Sequence, residues 1–278
     1  MFIDTTSGDF DYTYLSLGAG VQSSALLVLA CTDKRIPKPD AAIFADTGDE
    51  PPWVYEYVKI LTEWAKQYDV DVVTAQKAVL SQWVLDRKQE GKLFVNIPLY
   101  TVNEDKSQGH LRRQCTREFK IAPITKKVRE LLGYEPRKRV KHSVRAMLGI
   151  SADETQRMKP SRFKWVTNTF PLVDLGIRRE DCYKIVTDVG LPKPEKSACV
   201  YCPYHDNNWW SWIKKEHPEE FAKAVDFDHA VREMTMRGGE QLGYIHSSCQ
   251  PLDEVEFKEA DPNQVDMFSN ECEGMCGV

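Results

Sequence analysis

The stretch Tyr14 to Cys31, YLSLGAGVQSSALLVLAC, constrains this chain more than any other. An apolar extended run breaks at Gly18, Ala19 and Gly20 and resumes as an apolar segment too long for a strand, the pattern of a strand turning sharply into a helix. Such a turn aims backbone N–H groups and a helix N-terminus at one point, and that point attracts phosphate. It is not a Walker A loop, because no lysine precedes Ser23 and Ser24. Nor is it the dinucleotide fingerprint, since Ser23 stands where that motif needs glycine or alanine. Two readings stay open on these residues: a phosphate cradle, or a tight turn that needed small side chains.

The segments that follow decide the fold class. YTYLSL, DAAIFAD, VDVVTAQ and SVRAMLGIS read as strands. Between them lie a helix from about Ser23, a second over PPWVYEYVKILTEWAKQY with proline in its first turn, and a third over LSQWVLDRKQEG that stops at Gly91. Strand alternating with helix predicts an α/β domain, a mostly parallel, doubly wound sheet with both faces covered. NIPLYTVNEDKSQGHLRRQ reads as loop. Past Pro192 the chain turns rich in cysteine and aromatic residues with short helices, so residues 1–192 are expected to form the α/β domain and residues 193–278 a C-terminal cysteine-rich helical lobe and tail.

With 42% hydrophobic residues in 278, the chain can build a substantial core. Its longest apolar runs fall short of the roughly 18 residues a membrane helix needs. The opening MFIDTTSGDFDYTY has neither a basic region nor an apolar one, so no membrane contact and a cytoplasmic location are expected. A net charge of −5 argues against a generally basic, nucleic-acid-coating protein, yet PRKRVKHSVR, Pro136 to Arg145, carries basic residues without an acid. Arg112, Arg113, Arg117 and Lys120 add to that charge. Such residues suit a nucleic-acid backbone, a nucleotide's phosphates, or merely the solvated face of a strand anchored by Val140 and Val144. The tryptophans of NNWWSWIKKEHPEEF are expected to pack a helix against the cysteine lobe rather than stack on bases.

In a cytosolic chain the eight cysteines point to metal or thiol chemistry, not a disulfide framework. Cys199 and Cys202, in ACVYCPYH, form a C-x-x-C turn able to offer two thiolates to one metal. Cys31 and Cys182 fall inside helical patterns and read as small buried hydrophobes.

GAGVQSS resembles the pyrophosphate loop S-G-G-x-D-S of the adenine nucleotide alpha hydrolase superfamily, with Gly18 at the first serine, Gly20 at the second glycine and Ser23 at the last serine. Gly18 replaces a serine there and Gln22 an aspartate. IFADTGDEPPWVYEYV, QCTREFKIAPI, LGISADETQRM and FPLVDLGIRREDCYKIVTDVGLP resemble, in order, segments of the phosphoadenylyl-sulfate reductase branch. The resemblance implies that Gly18, Ala19, Gly20, Gln22, Ser23 and Ser24 hold the phosphates of ATP, with Asp46, Gly149, Asp153 and Glu154 completing the nucleotide site. It further implies that Arg157 faces the phosphates and that an acid of the Asp153–Glu154 pair helps hold Mg2+.

By the same resemblance Cys115, Cys199 and Cys202 are ligands of a 4Fe-4S cluster, zinc being the alternative. Gln114 stands where cluster-bearing reductases of the branch carry an adjacent cysteine, so a fourth ligand has to come from elsewhere. Cys249 is the expected one, with Cys272 and Cys276 of the tail as alternatives. The tail thiols loosely echo the reductases' terminal E-C-G nucleophile and could instead carry sulfur, or be inert. The expected activity is that of an ATP pyrophosphatase that adenylylates an acceptor and inserts sulfur, as in DNA phosphorothioation or tRNA thiolation. A cysteine desulfurase-like sulfur donor and a nucleic-acid acceptor would be its partners. The alternatives are a phosphoadenylyl-sulfate or adenylyl-sulfate reductase, and a nucleotide-sensing iron–sulfur binding module.

Overall fold

The computed structural model describes residues 8–91, 97–103, 107–236 and 239–257. Five parallel strands form the main sheet: β1 (Tyr12–Leu17), β2 (Ala41–Asp46), β3 (Asp71–Gln76), β6 (Val144–Leu148) and β7 (Val166–Thr169), in the order β3-β2-β1-β6-β7. The inner strands β1, β2 and β6 are buried almost throughout, whereas the edge strand β3 is mostly exposed or half-buried. Burial on both faces is what makes the inner strands read as unbroken apolar runs.

Side chains leave the sheet with period two. Leu15, Leu17, Ala42, Phe44 and Met147 meet α1 (Val21–Thr32), α2 (Pro52–Lys66) and α6 (Arg179–Asp188). Tyr14, Ile43, Ala45, Val144 and Ala146 meet Ile124 and Val128 of α4 (Ala122–Leu131) on the opposite face. Helices therefore cover both faces, as expected for a doubly wound α/β fold. Buried residues run around α1 from Val21 to Val28, and it accordingly sits at the centre of its layer. α2 instead buries one stripe, Val54, Tyr57, Leu61 and Ala65, and leaves the rest to water. Each fully buried leucine in these layers contributes about 1.5–3 kcal/mol.

A second apolar core forms between α3 (Leu80–Gln89), α7 (Asn207–Glu216) and α8 (Pro218–Val231). It recruits Leu80, Val84, Ile97, Leu99 and Phe119, so it is not confined to residues after 193. The stretch read as loop contains two three-residue strands, β4 (Tyr100–Val102) and β5 (Gln108–His110). These join β8 (Glu233–Met236) and β9 (Gly239–Tyr244) in an antiparallel sheet of order β5-β4-β9-β8. Tyr100 pairs with Tyr244, far away in the chain, and three residues are too few for an alternation to show in sequence. β7 and the short α5 (Pro171–Asp174) were likewise not anticipated.

Asp228, fully buried, clamps this body by accepting the N–H groups of Ile245 at 2.9 Å and Leu252 at 3.1 Å while pairing with Arg232. Trp210 is fully buried and Trp209 stacks on His205 with centroids 3.3 Å apart, so these tryptophans are packing residues as expected. Among the described residues no helix is long and apolar enough to cross a membrane.

Candidate nucleotide and thiol site

The strand order reverses between β1 and β6, and in open parallel sheets ligands bind beyond the strand ends at such a switch point. The turn after β1 reaches this place through Ala19, whose φ of +58° is costly for a residue with a Cβ, about 1–2 kcal/mol. Strain of this kind collects where a structure must present its backbone. Gly20 starts α1 with no side-chain cap, leaving the first-turn N–H groups to other acceptors. The carbonyl of Gly20 accepts Ser24 N–H at 3.0 Å, Ser24 Oγ at 2.9 Å and Ser23 Oγ at 3.1 Å. Both hydroxyls thus brace their own turn.

The loop after β6 presses on that turn. A Cβ at Gly149 would lie 2.7 Å from the Ser23 nitrogen, so only glycine lets the two loops meet. Gln22 Nε2 bridges them, donating to Ser151 Oγ at 2.6 Å and to Glu154 Oε2 at 2.7 Å. The Arg157 guanidinium pairs with the same Glu154 oxygen, and Arg179 Nη1 lies 3.9 Å from the other. Gln22, Glu154 and Arg157 are all buried, so Glu154 is ion-paired inside the protein and Arg157 faces it. Asp153 is exposed and accepts Arg179 N–H at 3.1 Å. Burial alone would raise its carboxyl, but hydrogen bonds from Ser151 and from backbone N–H groups hold it below the usual carboxylate range.

Asp46, at the end of β2, acts as a turn anchor: Oδ1 accepts Gly48 N–H at 2.7 Å and Tyr55 Oη at 2.9 Å, and Oδ2 accepts Gln76 Nε2 at 3.0 Å. The residues after it hold the thiols. Thr47 Oγ1 lies 3.1 Å from Cys199 Sγ, Asp49 O accepts Val200 N–H at 2.9 Å, and the Asp49 carboxylate accepts the Tyr201 hydroxyl and Ser81 N–H. Cys115, Cys199 and Cys202 line one cavity of about 30 Å³ together with Thr47, Leu80, Arg113, Thr116 and Lys120. Lys120 Nζ is 3.5 Å from the buried Glu50 carboxylate behind this wall. Burial, reinforced by Glu50, pushes the Cys199 thiol well up, with Lys120 and Thr47 acting against it.

Cys115 and the sequence-distant pair Cys199 and Cys202 therefore share a wall beyond the end of β2. Cys249 is not among the residues lining it and sits in the turn after β9 at φ +54°. Cys272 and Cys276 lie outside the described residues. Cys182 is fully buried and Cys31 partly so against the main core, as small hydrophobes. Ser197 joins the two halves of the site: its hydroxyl donates to Gly18 O, two residues before Cys199. Ser197, Glu50 and Lys120 were not singled out from sequence for these roles.

No family model matches the chain, and no curated protein is significantly similar to it. As a donor set, three thiols beside Lys120 and Arg113 suit a soft, thiolate-bound centre whose negative charge those cations would offset. Among the described residues no three His, Cys, Asp or Glu side chains converge closely enough to hold an ion as they stand. Of the two acids, Glu154 is buried and engaged by Gln22 and Arg157, whereas Asp153 is exposed.

Proposed function

We propose that the chain is an ATP pyrophosphatase of the adenine nucleotide alpha hydrolase type that activates an acceptor for sulfur insertion, its thiols belonging to a cysteine-bearing second lobe. The observation that carries this reading is the adjacency, through Ser197, of the β1–α1 turn at the switch point to the wall formed by Cys115, Cys199 and Cys202. The N-terminus of α1 would take the β- and γ-phosphates of magnesium-bound ATP, with Asp153 the carboxylate available to the metal. An acceptor oxygen would then attack the α-phosphorus and expel pyrophosphate. Arg157, released from Glu154, would offset charge on the departing group. Sulfur at the hydrosulfide level, from a donor protein, would displace AMP from the adenylylated acceptor.

Cys115, Cys199 and Cys202 would hold an iron–sulfur cluster, with Cys249 or a tail cysteine as the remaining ligand. Such a cluster supplies a thiophilic iron. The test is pyrophosphate and AMP release from ATP in the presence of Mg2+, sulfide and nucleic acid. Equal yields of the two products support the reading, and none with any sulfur source or acceptor overturns it. A non-catalytic nucleotide sensor is the second reading, favoured by Gln22, which stands in place of an acid and ties the two loops together. ATP binding without product formation would select it.

A further inference from the structure

The end of the main sheet opposite the candidate site carries a surface that sequence alone did not assemble. The loops entering β6 and β7 lie side by side, because the two strands are parallel neighbours with Val144 opposite Val166, and Val144 N–H donates to Trp165 O at 2.9 Å. The first loop exposes Arg137, Lys138, Arg139 and Lys141. The second exposes Lys159, Arg162 and Lys164. None of these cations is paired with an acid among the described residues. The nearby Asp11 carboxylate is spent on Ser143, accepting its N–H at 2.6 Å and its hydroxyl at 3.0 Å, while Glu135 is exposed at the rim.

Both loops are held in shape. Arg129 Nη2 donates to the carbonyls of Glu135 at 2.8 Å and Lys138 at 2.7 Å, and the Tyr134 hydroxyl accepts Lys141 N–H at 3.0 Å. In the second loop Val166 N–H donates to Phe163 O at 3.0 Å, and Asn168 Nδ2 to Lys159 O at 2.9 Å. Phe163 is 37% exposed, an unusual place for a large ring, and it stands between Arg162 and Lys164 with Trp165 at 5.9 Å between centroids.

We propose that this face docks single-stranded nucleic acid, the cations of both loops holding phosphates and Phe163 stacking on a base. Cations tracking a backbone beside an exposed aromatic ring are the two elements of sequence-tolerant single-strand binding. In a chain of net charge −5 such a patch is a local exception. The face lies the length of β6, five residues or about 17 Å, from the crevice beyond the strand ends. It therefore holds a polymer rather than the reacting nucleotide. Only the identification of this polymer with the sulfur acceptor rests on the function proposed above.

The test is fluorescence anisotropy of the full chain with a labelled single strand of about 20 nucleotides, the matching duplex, and vesicles of phosphatidylserine and phosphatidylcholine. Single-strand affinity should fall steeply with salt, and Arg137→Glu/Arg139→Glu and Arg162→Glu/Lys164→Glu should each weaken it by about tenfold or more and flatten the salt slope by about one or two units. Phe163→Ala should weaken single-strand binding about tenfold and leave the duplex nearly unchanged. Far-ultraviolet circular dichroism checks that these surface variants fold, and Lys59→Glu on α2 should bind as the parent does. Binding unaffected by both charge reversals, tighter binding to duplex or vesicles, or no binding by the parent chain overturns the proposal. Pyrophosphate release plays no part in the readout, so an inactive crevice with an intact dock, or the reverse, separates the two ideas.

Discussion

Gly149→Ala tests whether the two loops at the switch point meet as described. The added Cβ would lie 2.7 Å from Ser23 N, 2.8 Å from Ser23 Cα and 3.0 Å from the Gln22 carbonyl carbon. All three are backbone atoms in the first turn of a helix buried around its circumference, so no rotamer change relieves the contact. Reaching ordinary separation requires the β6 loop and α1 to part by roughly 0.7–1 Å, and overpacking of this kind costs about 1–3 kcal/mol. In larger single domains each kcal/mol lowers the melting temperature by about 2–4 °C, so a drop of several degrees is expected by calorimetry. Gly20→Ala is the matched control: its φ is −88° and its new Cβ would find Ser197 Cβ at an ordinary 3.9 Å. It should cost no more than about 1 kcal/mol, the difference between glycine and alanine at a helix N-cap. If the two variants melt together, or Gly149→Ala melts with the parent, the close approach does not hold the crevice. ATP titration adds a second layer: a destabilised Gly149→Ala variant of a parent that binds no ATP would keep the packing argument and remove the nucleotide.

Two further outcomes follow from buried groups. Burial, aided by Asp153, pushes the Cys182 thiol up to about 12, and burial pushes that of Cys31 up to about 11. An unfolded thiol ionises near about 8.5, so the unfolded chain loses protons first and stability falls as pH rises from about 9 towards these folded values. Urea midpoints should decline across that window and Cys182→Ala should flatten the decline; constant midpoints in the parent chain would contradict the burial. Asp228→Ala removes the anion beside Arg232 and the acceptor for two N–H groups, a loss of about 3–5 kcal/mol in urea unfolding. Adding Arg232→Met should recover part of it, whereas a single-variant cost below about 1 kcal/mol would show the clamp to be idle.

The parallel sheet was legible because its inner strands are buried on both faces, which leaves YTYLSL and AAIFAD as bare apolar runs beside a helix as apolar as α1. β4 and β5 were not, because three residues carry no period and β9, the other partner of β4, lies more than a hundred positions away. Gly149 could be named from sequence, but not the reason for it, since its contact with Ser23 exists only once β1 and β6 are neighbours. The same holds for the basic face: PRKRVKHSVR was visible, while KPSRFKW drew no notice until strand pairing laid it alongside. Asp46 bonds its own turn by accepting Gly48 N–H, a contact that depends on the path the chain takes after β2.

Ser197 makes the two halves of the candidate site interdependent. Its hydroxyl is bonded to Gly18 O, and the turn beneath it is almost entirely buried. Ser197 Cβ also stands 3.9 Å from the position a Cβ on Gly20 would take, at the start of α1. Ser197 and Cys199 belong to one short segment, and its next anchor is Val200 N–H on Asp49 O, beside Thr47. Cys199, two residues after Ser197, shares its cavity wall with Cys115 and Cys202. In a fold with the thiols on a detached lobe, occupancy of the crevice would leave their spacing untouched. Here the short segment from Ser197 to Val200 ties the β1–α1 turn to the wall of thiols.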